Sequence, residues 1–260
     1  MQDLNVTLIQ AELIWQNPAA NRARFAEQLA TLADKTDLVV LPEMFTTGFT
    51  MQPEQLAEPA DGPTLQWLRE QASQTKAVIT GSVAVTEAGR SYNRLYWVRP
   101  DGSYECYDKR HLFRMAREHE HYVAGTRSIV VDLNGWRICP LVCYDLRFPV
   151  WSRRRADLDY DLLIYVANWP TVRRYPWQPL LRARAIENQA YCIGVNRFGI
   201  DGLGYEHSGD SVVLDYLGQP ILSAPEQPWQ GSVTLSYGGL QKFRQKFPAH
   251  LDADGFHLDP

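Results

Sequence analysis

The feature that most constrains this chain is a set of short, unbroken apolar runs. Leu38-Val39-Val40-Leu41 is one, and residues 161–166, ending in Leu162-Leu163-Ile164-Tyr165-Val166, are another. Both are bounded like strands, and neither alternates with polar residues. Such runs read as strands covered on both faces, in sheets that other layers enclose. Helical spacing appears between the strands. Phe25, Leu29, Leu32 and Ala33 recur on one helical face. Asp61-Gly62-Pro63 opens a second helix, with proline in the first turn and Leu65, Leu68 and Ala72 inward. Residues 177–190 read as a third, with Leu181, Ala185 and Ile186 inward.

Further strands are expected at 5–10, 76–85, 92–98, 104–108, 127–133, 136–143, 191–196, 211–216, 219–223 and 231–235. Pro100-Asp101-Gly102 and Asn134-Gly135 are hairpin turns, so some neighbours are antiparallel. Buried runs, hairpins and intervening helices together predict a mixed-sheet α/β protein with sheets inside and helices outside. No linker-like stretch divides residues 1–260, which read as one domain.

Composition excludes several classes of function. The chain has 260 residues and a formal net charge of -4, with no basic block to meet nucleic-acid phosphates. Arg153-Arg154-Arg155 reads as a solvated helix face. No apolar run approaches the ~18–20 residues that span a bilayer, and the N-terminus does not read as a signal peptide. The expected location is the cytoplasm. Free thiols are expected at Cys106, Cys139, Cys143 and Cys192.

Three polar residues stand just after predicted strands: Glu43, Lys109 and Cys143. Sites collect at the carboxyl ends of strands in α/β sheets. Taken singly, each has an ordinary reading as a turn residue, a solvated charge or a core thiol. The context of Cys143 is more telling. Leu141-Val142-Cys143-Tyr144-Asp145-Leu146-Arg147-Phe148-Pro149 passes abruptly from strand to turn. A thiol there is presented to a pocket, and the Tyr144 amide N–H can face an oxyanion beside it.

With their flanks, Leu41-Pro42-Glu43, Tyr107-Asp108-Lys109-Arg110-His111-Leu112 and Cys143–Pro149 resemble the three ordered signatures of the nitrilase superfamily of carbon–nitrogen hydrolases. Ala167-Asn168-Trp169-Pro170 and Arg182-Ala183-Arg184-Ala185-Ile186-Glu187-Asn188 extend the resemblance over nearly the whole chain. The chain most resembles the omega-amidase branch. The resemblance implies a four-layer αββα sandwich, a Glu43–Lys109–Cys143 triad and a homodimer. It implies hydrolysis of small 2-oxo acid amides through a Cys143 thioester, without metal or other cofactor. A second glutamate is also implied. Counting back from Gly125 favours Glu118, with Glu120 as the alternative.

A 2-oxo acid carries a carboxylate, so an arginine is expected in its pocket. Arg173 is the first candidate, with Arg114 and Arg147 behind it, and Phe45 and Trp169 are expected to wall the pocket. The alternative substrates are deaminated glutathione and N-carbamoyl compounds. A non-catalytic scaffold is the alternative outside enzymes. His119 and His121 would share a strand face, but no zinc-type spacing accompanies them. Cys139 and Cys143, at i and i+4 on a strand, would stand ~13 Å apart, too far for a disulfide.

Overall fold

The computed structural model describes residues 2–258. Two sheets lie at its centre. One runs in the order Trp229–Leu235, Leu4–Gln10, Leu38–Val40, Val78–Glu87, Arg90–Val98, Tyr104–Asp108, with Glu58–Pro59 added beside Val78–Glu87. The other runs Pro220–Ser223, Val212–Leu214, Tyr191–Asn196, Leu162–Ala167, Trp136–Val142, Val131–Leu133. The middle three strands of each six-strand path are parallel, and the flanking strands are antiparallel.

Side-chain alternation divides the layers. Leu38 and Val40 point into the core shared by both sheets, with Leu4, Val6, Leu8, Leu95 and Trp97. Val39 and Leu41 point the other way, with Ile79, Tyr96 and Val98, and meet Phe25, Leu29, Leu65 and Leu68. Those partners lie on the helices Pro18–Leu29 and Pro63–Thr75. The outer face of the second sheet is covered by the helix Arg174–Asn188 through Trp177, Leu181 and Ala185. Gly194 permits that contact: a Cβ there would come within 2.6 Å of Leu181 and 2.7 Å of Trp177. Helix, sheet, sheet and helix make the four layers, as the motifs implied.

Several local expectations change. The first helix stops at Leu29, so Leu32 is buried beyond it and Ala33 is exposed. Ile186 is 54% exposed, because the buried stripe runs through Trp177, Leu181, Arg184, Ala185 and Asn188 and leaves it off the face. Pairing before the Asn134-Gly135 turn is confined to Val131–Leu133. Both turn residues have positive φ, as that hairpin requires. Arg153, Arg154 and Arg155 follow the short helix Pro149–Ser152 and are half-buried. Arg154 and Arg155 pair with Asp159 and Asp157, so the cluster is not a solvated helix face. His119 and His121 lie on a helical turn, Glu118–His121, rather than on a strand. Among the described residues, no helix is long and apolar enough to cross a membrane.

Candidate active site

Glu43 and Cys143 follow Leu38–Val40 and Trp136–Val142, central parallel strands of the two sheets. Lys109 follows Tyr104–Asp108, two antiparallel steps from Val78–Glu87, so it reaches the same end of its sheet. The sandwich thereby brings three strand ends from distant sequence to one place. Asn93 joins them from the middle of Arg90–Val98, on the same inward parity as Leu95 and Trp97.

The side chains form a dry, connected cluster. Glu43 and Glu118 are fully buried and Lys109 is 1% exposed. The Lys109 ammonium donates to Glu43 Oε1 at 2.9 Å and to Glu118 Oε2 and Oε1 at 2.9 and 3.1 Å. Asn93 Nδ2 donates to Glu43 Oε1 at 2.8 Å and Glu118 Oε1 at 3.2 Å. The other oxygen of Glu43 accepts the Asn168 backbone N–H at 2.8 Å. Glu118 Oε2 accepts the Phe113 N–H at 2.6 Å. Glu120, by contrast, is an exposed partner of Arg117. The second carboxylate beside the lysine is therefore Glu118.

Electrostatics follow from this arrangement. Burial disfavours the Lys109 ammonium, but Glu118 and Glu43 outweigh it and hold its pKa above the ordinary lysine range. Burial, then Glu43, also raises the Glu118 carboxyl, against the pull of Lys109. The Cys143 thiol is pushed well above its usual value by burial and then by Glu43, with Lys109 opposing. The resting sulfur is thus a thiol beside a carboxylate that can accept its proton.

Cys143 has φ 44°, in the left-handed region, where it leaves the strand and starts the turn Cys143–Arg147. Asp145 holds that turn. Its carboxylate accepts from Val142 N at 3.0 Å, Tyr107 Oη at 2.7 Å and His111 N at 3.0 Å, and bonds the His111 ring at 2.8 Å. Trp151 Nε1 donates to the same Tyr107 hydroxyl at 3.0 Å. On the lysine side, Gly125 N donates to Lys109 O at 2.9 Å. A Cβ on Gly125 would fall 2.0 Å from the Asp108 carbonyl oxygen, so only glycine fits that approach.

A cavity of about 390 Å³ opens above the cluster, with Lys109, Cys143, Tyr144 and Asn168 among its lining. Phe49, Met51, Phe113 and Trp169 supply apolar wall, and Arg147 and Arg173 supply positive charge. The Arg147 guanidinium lies over Trp169, and that of Arg173 over Phe113, at 4.9 and 5.2 Å. Neither arginine is in an ion pair among the described residues. Arg114 is outside the cavity lining.

Phe45 is also outside it, contrary to expectation. Met44, at φ 40°, turns the chain, and Phe45 packs under the helices against Phe25 and Trp67. Phe49 takes the place expected for it. The last wall comes from the hairpin Phe198–Ile200/Glu206–Ser208 and its loop, through Asp201, Leu203, Tyr205 and His207. Sequence reasoning passed over this hairpin and Asn93. The parity that Asn93 shares with Leu95 and Trp97 was its available signal; the hairpin carried none.

The family model for carbon–nitrogen hydrolases matches residues 5–242. The chain belongs to the carbon–nitrogen hydrolase family. It is 50% identical to the omega-amidase YafV of Yersinia enterocolitica, over 99% of this chain and all of that protein. It is 32% identical to the 2-oxoglutaramate amidase of Bacillus subtilis, over 83% of this chain and 84% of that one. Among solved structures it resembles XC1258 from Xanthomonas campestris, a CN-hydrolase superfamily protein with an arsenic adduct in its active site. The identity is 48%, the TM-score 0.98 and the coverage 100% of both chains.

Proposed function

We propose that this carbon–nitrogen hydrolase is a thiol-dependent amidase of the omega-amidase type. It converts the terminal amide of small 2-oxo acid amides, such as 2-oxoglutaramate, to carboxylate and ammonia. The observation that carries the reading is the one buried cluster of Glu43, Lys109 and Glu118 beside the Cys143 thiol, beneath a cavity with two arginines that make no ion pair among the described residues. The omega-amidase and 2-oxoglutaramate amidase relatives support the substrate class.

In this reading Cys143 Sγ attacks the amide carbon while Glu43 takes the thiol proton. The developing oxyanion is held by the Tyr144 N–H and by the Lys109 ammonium, whose other protons are engaged by Glu43 and Glu118. Glu43 passes its proton to the amide nitrogen, the C–N bond breaks and ammonia leaves a thioester. Glu43 then takes a proton from water, hydroxide adds to the thioester carbon, and the departing sulfur recovers the proton. Arg173 and Arg147 are suited to the substrate carboxylate, and Trp169 to packing on its carbon chain.

The protein in this reading is a cytoplasmic homodimer. Its four free cysteines suit a reducing compartment. Exposed Tyr175 and Ile186 on the helix Arg174–Asn188, with exposed Leu217, offer apolar surface to a second copy.

A substrate panel read by ammonia release, and for deaminated glutathione by release of the free peptide amine, tests the function. It comprises 2-oxoglutaramate, 2-oxosuccinamate, deaminated glutathione, an N-carbamoyl amino acid and a simple nitrile. The expected preference is for the 2-oxo acid amides. Preference for the carbamoyl compound or the nitrile would overturn the substrate class, and no turnover of any would favour a non-catalytic scaffold.

A further inference from the structure

We infer that Asn93 is a positioning residue for this reaction, holding Glu43 in the orientation and charge state that let it take the Cys143 proton. The inference rests on the reading of Glu43 as the base.

Asn93 touches all three charged residues of the cluster. Its backbone carbonyl accepts the Lys109 N–H at 3.0 Å. Its side-chain nitrogen donates to Glu43 at 2.8 Å and to Glu118 at 3.2 Å. Two carboxylates this close repel each other, and each, when ionised, only accepts hydrogen bonds. Lys109 and Asn93 are the donors placed between them. They are not equivalent. A second cation here would neutralise the cluster and pull the thiol toward thiolate. A neutral amide supports the carboxylates and leaves the cluster one negative charge in excess. The Asn93 donor fixes the direction of the Glu43 carboxylate and, as any donor to a carboxylate does, favours the charged form over the neutral one.

The geometry does not suit a role confined to packing. Asn93 is 1% exposed, and its Oδ1 has no hydrogen-bond partner among the described residues. A bare buried acceptor is unfavourable. An apolar residue on this inward parity would avoid it, as Leu95 does on the same strand. Lys109, Glu118 and Cys143 are the charged or titratable groups facing Glu43, with Tyr122 beyond, its hydroxyl on Thr50 O at 2.9 Å.

The test is the pH dependence of kcat and KM for 2-oxoglutaramate in wild type, Asn93→Ala and Asn93→Ser. Asn93→Ala is expected to lower kcat about 10²-fold, the scale of a misplaced reacting group, with a much smaller change in KM. It should also move the acid limb of kcat to higher pH, because a carboxylate that loses a donor holds its proton more tightly. Asn93→Ser keeps one donor and should fall between. It carries the test if the alanine variant does not fold. A folded variant with unchanged kcat overturns the inference. So does one whose kcat falls while its acid limb stays in place, since lost packing alone would do that. A wild type without Cys143-dependent amidase activity defeats the reading of the base. An active wild type whose acid limb is unmoved by the substitutions defeats the inference about Asn93 alone.

Discussion

The Tyr107 hydroxyl donates to Asp145 Oδ2 at 2.7 Å, and this bond joins the strand that leads into Lys109 to the turn that begins at Cys143. Lys109 and Cys143, the proposed oxyanion-holding cation and nucleophile, come from different sheets. Their spacing depends on a few buried contacts of this kind. Tyr107→Phe leaves a fully buried carboxylate short of one donor. A hydrogen bond to a charged group is worth ~1.5–3 kcal/mol, so stability should fall by about that much. Urea unfolding measures the loss, and kcat should fall with it while KM changes little.

The Cys143 thiol gives a prediction of opposite signs. Glu43 contributes to its raised pKa, and Lys109 works against that rise. Removing the charge with Glu43→Gln should lower amide turnover by roughly 10²–10⁴-fold, the usual contribution of a proton-transferring base. The same variant should alkylate faster with iodoacetamide at neutral pH, because the thiolate becomes easier to form. Lys109→Met should slow alkylation. Parallel loss of turnover and alkylation in Glu43→Gln would contradict this account.

These site predictions draw on residues that the sequence exposed unevenly. Glu43 and Cys143 stood out because each follows an apolar run at a strand end, and Lys109 because it sits in a recognisable flank. Sheets enclosed by helices were legible from the runs, and their order in four layers from the family resemblance. Phe45 was not, because the left-handed turn at Met44 decides which side of the sheet it faces. Ile186 was misjudged because helix phase is set by which side chains meet Gly194 and its strand. Asp145 lay within a quoted motif, yet its partners Tyr107 and His111 are far away in sequence. The hairpin wall through His207 depends on tertiary placement that no local pattern encodes.

Gly125 tests the close approach beside the lysine. A methyl group there would meet the Asp108 carbonyl at 2.0 Å, and backbone must move to admit it. Gly125→Ala should destabilise the fold by ~1–3 kcal/mol, as overpacking does, and lower kcat by displacing Lys109. A variant as stable and as active as wild type would show that the loop yields freely.

The cavity arginines separate binding from chemistry. Arg173→Met should raise KM for 2-oxoglutaramate about 10–100-fold, the equivalent of one charge-assisted hydrogen bond. It should leave turnover of an uncharged aliphatic amide unchanged. If KM for both amides rises equally, Arg173 shapes the cavity without reading a carboxylate, and Arg147 becomes the residue to change.

His207 predicts a pH dependence of stability. Burial, then Arg197, lowers its pKa to about 4, from the ordinary histidine value of about 6.5. The folded state therefore resists protonation, and stability present above the unfolded value is lost as pH falls toward 4. The loss attributable to this residue is at most about 3–4 kcal/mol, at 1.36 kcal/mol per unit. His207→Asn retains a donor for the carbonyls of Gly199 and Tyr205 and should flatten the decline. An equally steep decline in the variant would assign it to other groups.

Ammonia release from 2-oxoglutaramate by purified Cys143→Ala tests the central claim most directly. The account predicts a variant that melts close to wild type and has no measurable turnover, because the sulfur proposed to carry the acyl group is gone. Turnover by the folded variant at an appreciable fraction of the wild-type rate would contradict it.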